Sequence, residues 1–172
     1  KNILWGQKGN FLEAPTDCPQ RDERLGWTGD AQVFARTACF NRDVNSFFEK
    51  WCADIEDAQF DSGAIPHVVP DVLKEKGKNT GDGPNGAAAW ADAAVICPWT
   101  IYLCYGDKRI LERSYETMRK FVEWRIKTSR NFIHAEACFG DWLAIDLAEN
   151  DASRTPTPRD LIATAYFART AE

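Results

Sequence analysis

Apolar positions recur along this chain in two ways, and each predicts a different kind of helix. Over residues 43–58, Val44, Phe47, Phe48, Trp51, Cys52 and Ile55 fall at i, i+3, i+4, i+7, i+8 and i+11, with Glu49, Lys50, Asp54 and Glu56 on the other side. Residues 108–129 repeat that one-faced arrangement, with Leu111, Tyr115, Met118, Val122 and Ile126 set against many Lys, Arg and Glu. By contrast, residues 31–40, 87–105 and 157 onward are apolar on most sides, and a helix without a polar face is expected to be buried. Asp92 is the one charge inside the 87–105 run, where it needs a partner or a central cavity to face. Pro98 should kink that run. Asp30 reads as the N-cap of the first helix and Thr157 as the N-cap of the last, with Pro158 in its first turn.

The intervening segments are irregular. Residues 1–30 are broken by Gly6, Gly9, Pro15, Pro19, Gly26 and Gly29, and no helix is expected there. Residues 61–86 form a Gly/Pro-rich loop with a short apolar run at 65–69, read as one short strand, and 131–156 form a second long connection. Short turns thus join each buried helix to a one-faced successor, and long loops lead back to the next buried one. That alternation suits an all-α, two-layer ring whose long loops gather at one mouth. An irregular helical bundle is the alternative, and no βαβ pattern appears.

Composition narrows the choice. The 172 residues suffice for one domain, 1–172, without a second. No apolar window of about 18 residues exists to span a membrane. A net charge of −5 without a basic stripe argues against nucleic acid. The six cysteines, Cys18, Cys39, Cys52, Cys97, Cys104 and Cys138, show neither C-x-x-C nor histidine spacing, so neither metal nor cofactor is expected. Several lie on apolar helix faces, which leans toward a reducing, cytoplasmic setting; an even count keeps disulfides open, and with them a periplasmic or secreted location. Lys1 at the start and Ala171-Glu172 within a helical pattern suggest a piece of a longer protein.

Chemistry concentrates in Asp17-Cys18-Pro19-Gln20-Arg21-Asp22-Glu23-Arg24-Leu25-Gly26-Trp27-Thr28-Gly29-Asp30. Glycosidic cleavage needs a carboxylic acid that still holds its proton when the leaving oxygen asks for it. Clustered carboxylates favour that through like-charge repulsion, a nearby Trp through low polarity, and Arg holds neighbouring carboxylates ionised. The bland reading is a solvated loop with local ion pairs. Most of the seven Trp are read as core. His67 and His134 are read as structural, residues 74–78 as a solvated basic loop, and Gly81-Asp82-Gly83 as a turn.

The fourteen-residue segment resembles the signature of bacterial α-L-rhamnosidases of glycoside hydrolase family 78, and the likeness extends through Trp90 in Ala-Ala-Trp-Ala-Asp and Trp142 in Gly-Asp-Trp-Leu. The resemblance implies an incomplete (α/α)6 barrel of inner and outer helices and an inverting α-L-rhamnosidase acting on a rhamnose-containing oligosaccharide or glycoside. It puts the general acid on Glu23. It also implies that Asp17, Arg21 and Asp30 hold the rhamnose hydroxyls and that Trp27, Trp90 and Trp142 wall its apolar face. Asp22 has no direct sugar contact in this reading. The resemblance further implies that the general base is a Glu on a later part of the barrel, so that this N-terminal portion needs the remainder as partner and is inactive alone. Glu136 and Asp141 are the acids nearest to filling that gap, and neither matches the family position. Two rivals stay open: another (α/α)6 carbohydrate-active enzyme, such as an uronyl hydrolase or polysaccharide lyase, and a non-catalytic sugar-binding helical module. The signature carries more acid than base, which favours a neutral sugar over an acidic one.

Overall fold

The computed structural model describes residues 1–73, 85–134, 139–141 and 156–172. Its helices are α1 (Asn2–Asn10), α2 (Thr28–Asn41), α3 (Asn45–Ala58), α4 (Ala93–Tyr105), α5 (Arg109–Thr128) and α6 (Arg159–Ala171). Helix α2 lies beside α4, α3 lies beside α5, and both α3 and α5 pack on α4, giving an inner and an outer layer. The apolar stripes explain this. Phe48, Trp51 and Ile55 of α3 and Ile110 and Phe121 of α5 are buried against Ala35 and Ala38 of α2 and Ala94, Cys97 and Ile101 of α4. Small residues on the inner helices let them approach closely, and large ones on the outer helices fill the space between layers. Among the described residues no helix is long and apolar enough to cross a membrane.

The structure corrects the expected elements in several places. Residues 2–10 are helical, although Gly6 and Gly9 interrupt any apolar period. The anchor of α1 is polar: buried Gln7 donates to the Ala38 carbonyl at 3.3 Å and accepts from Asn41 at 2.9 Å, while Trp5 and Ile3 stand exposed. Phe11, just past its end, stacks on Phe47 at 4.5 Å and meets Phe34 and Phe48 edge-on. Helix α2 starts at Thr28, so Trp27 takes the N-cap position and Asp30 lies in the first turn, where a carboxylate suits the helix dipole. The segment 87–92 makes turns before α4 begins, and Pro98 lies inside the helix. Pro158, rather than Thr157, precedes α6 at its N-cap position. The run at 65–69 makes one isolated bridge, Trp27 to Val68, in place of a strand.

The inner helices are also less enclosed than their composition predicts. Val33 and Phe40 of α2, Trp99 and Leu103 of α4 and Leu161 of α6 are exposed, because no described element lies over that face.

Asp92 has a partner rather than a cavity. It is fully buried with Arg125 of α5, accepting from that guanidinium at 3.3 Å and from the Ala89 N–H at 2.8 Å. Burial pushes its carboxyl up, and Arg125 and Ala89 pull it back only in part. The Arg125 guanidinium also lies over Phe121 and Trp124. His134, buried against Trp124, has no hydrogen-bond partner for either ring nitrogen among the described residues. Burial and the Arg125 charge push its imidazole down to about 4.

Two outcomes follow. Asp92→Ala strips a buried guanidinium of this counter-charge and is expected to cost about 3–5 kcal/mol in urea unfolding, and a loss under about 1 kcal/mol would contradict the pairing. His134 folds neutral but takes a proton near pH ~6.5 when unfolded. Its contribution to stability is therefore whole above that pH and is lost as pH falls toward about 4. Thermal midpoints measured across this window should drop less steeply for His134→Leu than for the parent chain.

Candidate active site

The segment between α1 and α2 folds back on itself. Asp17 N–H donates to the Leu25 carbonyl at 3.1 Å, and Leu25 N–H donates to the Asp17 carboxylate at 2.9 Å. This two-way lock closes a tight loop over 18–24, with Arg24 in the left-handed region (φ 50°) donating to the Pro19 carbonyl at 3.2 Å. Closure returns Glu23 to Asp17, so that ligand atoms of Asp17, Cys18 and Glu23 lie within 4.8 Å of one another. The positive charge in this group comes from Arg21, whose guanidinium pairs with one oxygen of Glu23. The other Glu23 oxygen accepts from the Trp27 indole N–H at 3.3 Å.

A second loop pins the signature in place. Both the N–H and the hydroxyl of Thr28 donate to the His67 carbonyl, at 2.9 and 3.0 Å, and Val69 N–H donates to the Gly26 carbonyl at 2.8 Å. Trp51 of the outer layer donates its indole N–H to the Val69 carbonyl at 3.2 Å, tying this clasp to the core. Gly26 permits the approach, since a Cβ there would stand 2.1 Å from the Val69 oxygen. Gly29 does the same for Trp90: a Cβ would meet its indole at 2.8 Å. Trp90 is steadied on another side by Phe139, edge-on at 4.6 Å, which in turn meets His67 at 4.9 Å. Gln32, donating to the Ala89 carbonyl, holds the turn that presents Trp90.

These pieces enclose a hollow of about 600 Å³. Asp17, Arg21, Glu23, Trp27, Asp30 and Trp90 all line it, together with Cys18 and Phe139, and Ile3, Phe11 and Phe34 form an apolar flank. Of the residues singled out from sequence, Trp142, Glu136, Cys138, residues 74–78 and Gly81-Asp82-Gly83 lie outside the described residues. Asp141 is not part of the lining; its carboxylate accepts the Thr157 N–H at 2.8 Å, ahead of α6. His67, buried, supports the site through its carbonyl and ring. The sequence reading missed Phe139 as a wall residue, although it stands three positions before Trp142.

The carboxylates of the hollow are driven apart in proton affinity. Burial raises Asp17, but the Leu25 N–H, the Cys18 thiol, a hydrogen bond with Glu23 and the Cys18 N–H outweigh it and hold the group below its ordinary value. Asp30 moves the other way, pushed up by burial and by the charges of Asp17 and Glu23. Such a split is what proton-transfer chemistry requires of neighbouring acids. Asp17→Asn, removing one of those charges, is expected to lower the Asp30 midpoint in a carboxyl NMR titration, and an unmoved midpoint would exclude the coupling. Gly29→Ala should shift the Trp90 indole resonance while leaving that of core Trp51 in place; the reverse pattern would contradict the close packing.

Residues 1–172 match the family model described as the bacterial alpha-L-rhamnosidase 6 hairpin glycosidase domain. Alpha-L-rhamnosidases from Formosa agariphila and Streptomyces avermitilis are 46% and 42% identical over 171 residues, which is 99% of this chain and 18% and 15% of theirs. The crystal structure of the Streptomyces avermitilis alpha-L-rhamnosidase complexed with L-rhamnose superposes with a TM-score of 0.83 at 43% identity, over 99% of this chain and 15% of that one. The alpha-L-rhamnosidase from Dictyoglumus thermophilum gives 0.82 at 38% identity, over 98% and 18%. The chain therefore spans less than a fifth of the length of these relatives.

Proposed function

This chain belongs to the bacterial alpha-L-rhamnosidase six-hairpin glycosidase family, its two helical layers being part of an (α/α)6 barrel, and on that premise we propose that its hollow supplies the acid half of an inverting α-L-rhamnosidase site. The observation that carries the reading is one shared hollow holding Glu23, two other acids, Arg21 and the indoles of Trp27 and Trp90. Glu23 protonates the departing glycosidic oxygen as the anomeric carbon takes on oxocarbenium character. Asp17, Arg21 and Asp30 bind the sugar hydroxyls. Trp27, Trp90 and Trp142 pack on the apolar face and methyl of a deoxy sugar.

Inversion requires a second carboxylate roughly 6.5–9.5 Å from the acid to activate water on the opposite face. We assign that base to the remainder of the barrel. The exposed apolar face with Val33, Phe40, Trp99 and Leu103 is the surface which that remainder would cover.

The raised proton affinity of Asp30 favours a second assignment, in which Asp30 is the proton donor. An aryl rhamnoside with a strongly acidic phenol as leaving group separates the two, because such a group departs without protonation. In the intact parent enzyme, Glu23→Gln is expected to lower kcat on an unactivated rhamnoside by about 10²–10⁴-fold, to keep rhamnose binding, and to regain most of its rate on the activated substrate. That rescue appearing in Asp30→Asn instead would transfer the role to Asp30. Calorimetric titration of this chain with rhamnose, beside a hydrolysis assay, tells a binding module from a catalyst.

A further inference from the structure

Helices α2 and α4 both begin at the hollow, with Asp30 on one and Trp90 just ahead of the other, and both end far from it. At that far end each contributes a cysteine from its last turn, Cys39 on α2 and Cys104 on α4. Helices α2 and α4 pack side by side, the Cys104 side chain is a neighbour of the Cys39 thiol, and both thiols are free. Cys104 is exposed and Cys39 half-buried. The Tyr105 hydroxyl fixes the place by donating to the Arg42 carbonyl at 3.3 Å, accepting the Val44 N–H at 2.9 Å and touching Cys39. The end of α2 and the start of α3 are thus held beside the end of α4, and the sulfurs with them. Of the other described cysteines, Cys18 lies in the hollow and Cys52 and Cys97 are buried in the core.

We infer that Cys39 and Cys104 form a redox modification site, a reversible disulfide that fastens the two inner helices together at the end opposite the hollow. With a low-molecular-weight disulfide such as oxidised glutathione as oxidant, the Cys104 thiolate attacks one sulfur of its S–S bond. One glutathione leaves as a thiol, and the other stays joined to Cys104. Cys39, giving up its proton, then attacks the Cys104 sulfur and displaces the second glutathione. Two protein thiols are oxidised and one glutathione disulfide is reduced to two thiols. The order follows from environment: burial and the neighbouring Cys104 sulfur push the Cys39 thiol up to about 12, leaving the exposed sulfur to attack first.

The test incubates the chain with oxidised glutathione at about pH 8, where exposed thiols ionise appreciably, and maps its peptides without reduction. The expected result is a Cys39–Cys104 linked peptide, lighter by two hydrogens than its separate halves. With it should come a thermal midpoint raised by about 5 °C or more, reversed by dithiothreitol. Cys104→Ser should abolish both; being exposed, it leaves the fold intact, and Cys39→Ser provides the independent control. Glutathione accumulating on Cys104 without a linked peptide, linkage to another cysteine, or a link that leaves the midpoint unchanged would each overturn the inference.

Discussion

Two short stretches of loop backbone, 26–28 and 67–69, hold each other across an interval of 39 residues, and the site depends on that clasp. Neither stretch forms a strand, yet three backbone and hydroxyl donors of one or the other find carbonyls across the gap. Thr28 and Gly29 are buried there at the entry to α2, so the first helical turn starts from a fixed position without a side-chain cap. Through Trp51 the clasp is anchored to the outer layer, and the rigidity of the core reaches the rim of the hollow. The Trp27 indole, at the N-cap of α2, then stands where it can meet Glu23.

Inside that frame the electrostatics are arranged locally. The signature loop closes through Asp17 and Leu25, which spends the charge of Asp17 on its own backbone and leaves it ionised. Arg21 faces Glu23, while Asp30 lies in the first turn of α2 under the influence of two other acids. Among the described lining residues Arg21 is the cation beside several carboxylates, so the hollow is net acidic. The aromatic wall is itself buttressed: Gly29 and Phe139 leave Trp90 little freedom. Away from the hollow, Asp92 and Arg125 join the start of α4 to α5, so the wall and the outer layer share a common base.

Much of this was legible in the residues. The i, i+3, i+4 stripes of α3 and α5 are long and clean, and both helices lie close to the positions that the stripes predict. The signature was legible because it concentrates acids, bases and an aromatic within fourteen positions, and the five site residues it holds, Asp17, Arg21, Glu23, Trp27 and Asp30, line one hollow together with Trp90. Helix α1 was not legible, because its buried contact is Gln7 and its apolar side chains face outward, the inverse of the usual pattern. Phe139 was passed over because one Phe in a long connection carries no period. Nor does the apolar character of α2 and α4 reveal which faces are covered within this chain, and Val33 and Trp99 are not.

By itself the sequence determined what local periodicity and short-range spacing encode: an all-α chain, alternating one-faced and apolar helices, and a loop carrying the reactive groups. Those properties follow from side chains within a few residues of one another, where helix geometry alone sets who is neighbour to whom. The tertiary structure decided what is joined across distance: the meeting of 26–28 with 67–69, the pairing of Asp92 with Arg125, the pressing of Phe139 on Trp90, and the packing of α2 on α4 that brings Cys39 and Cys104 to one end. Each depends on where loops return after tens of residues, and no periodicity records that path. Only the packing of the two layers selects it.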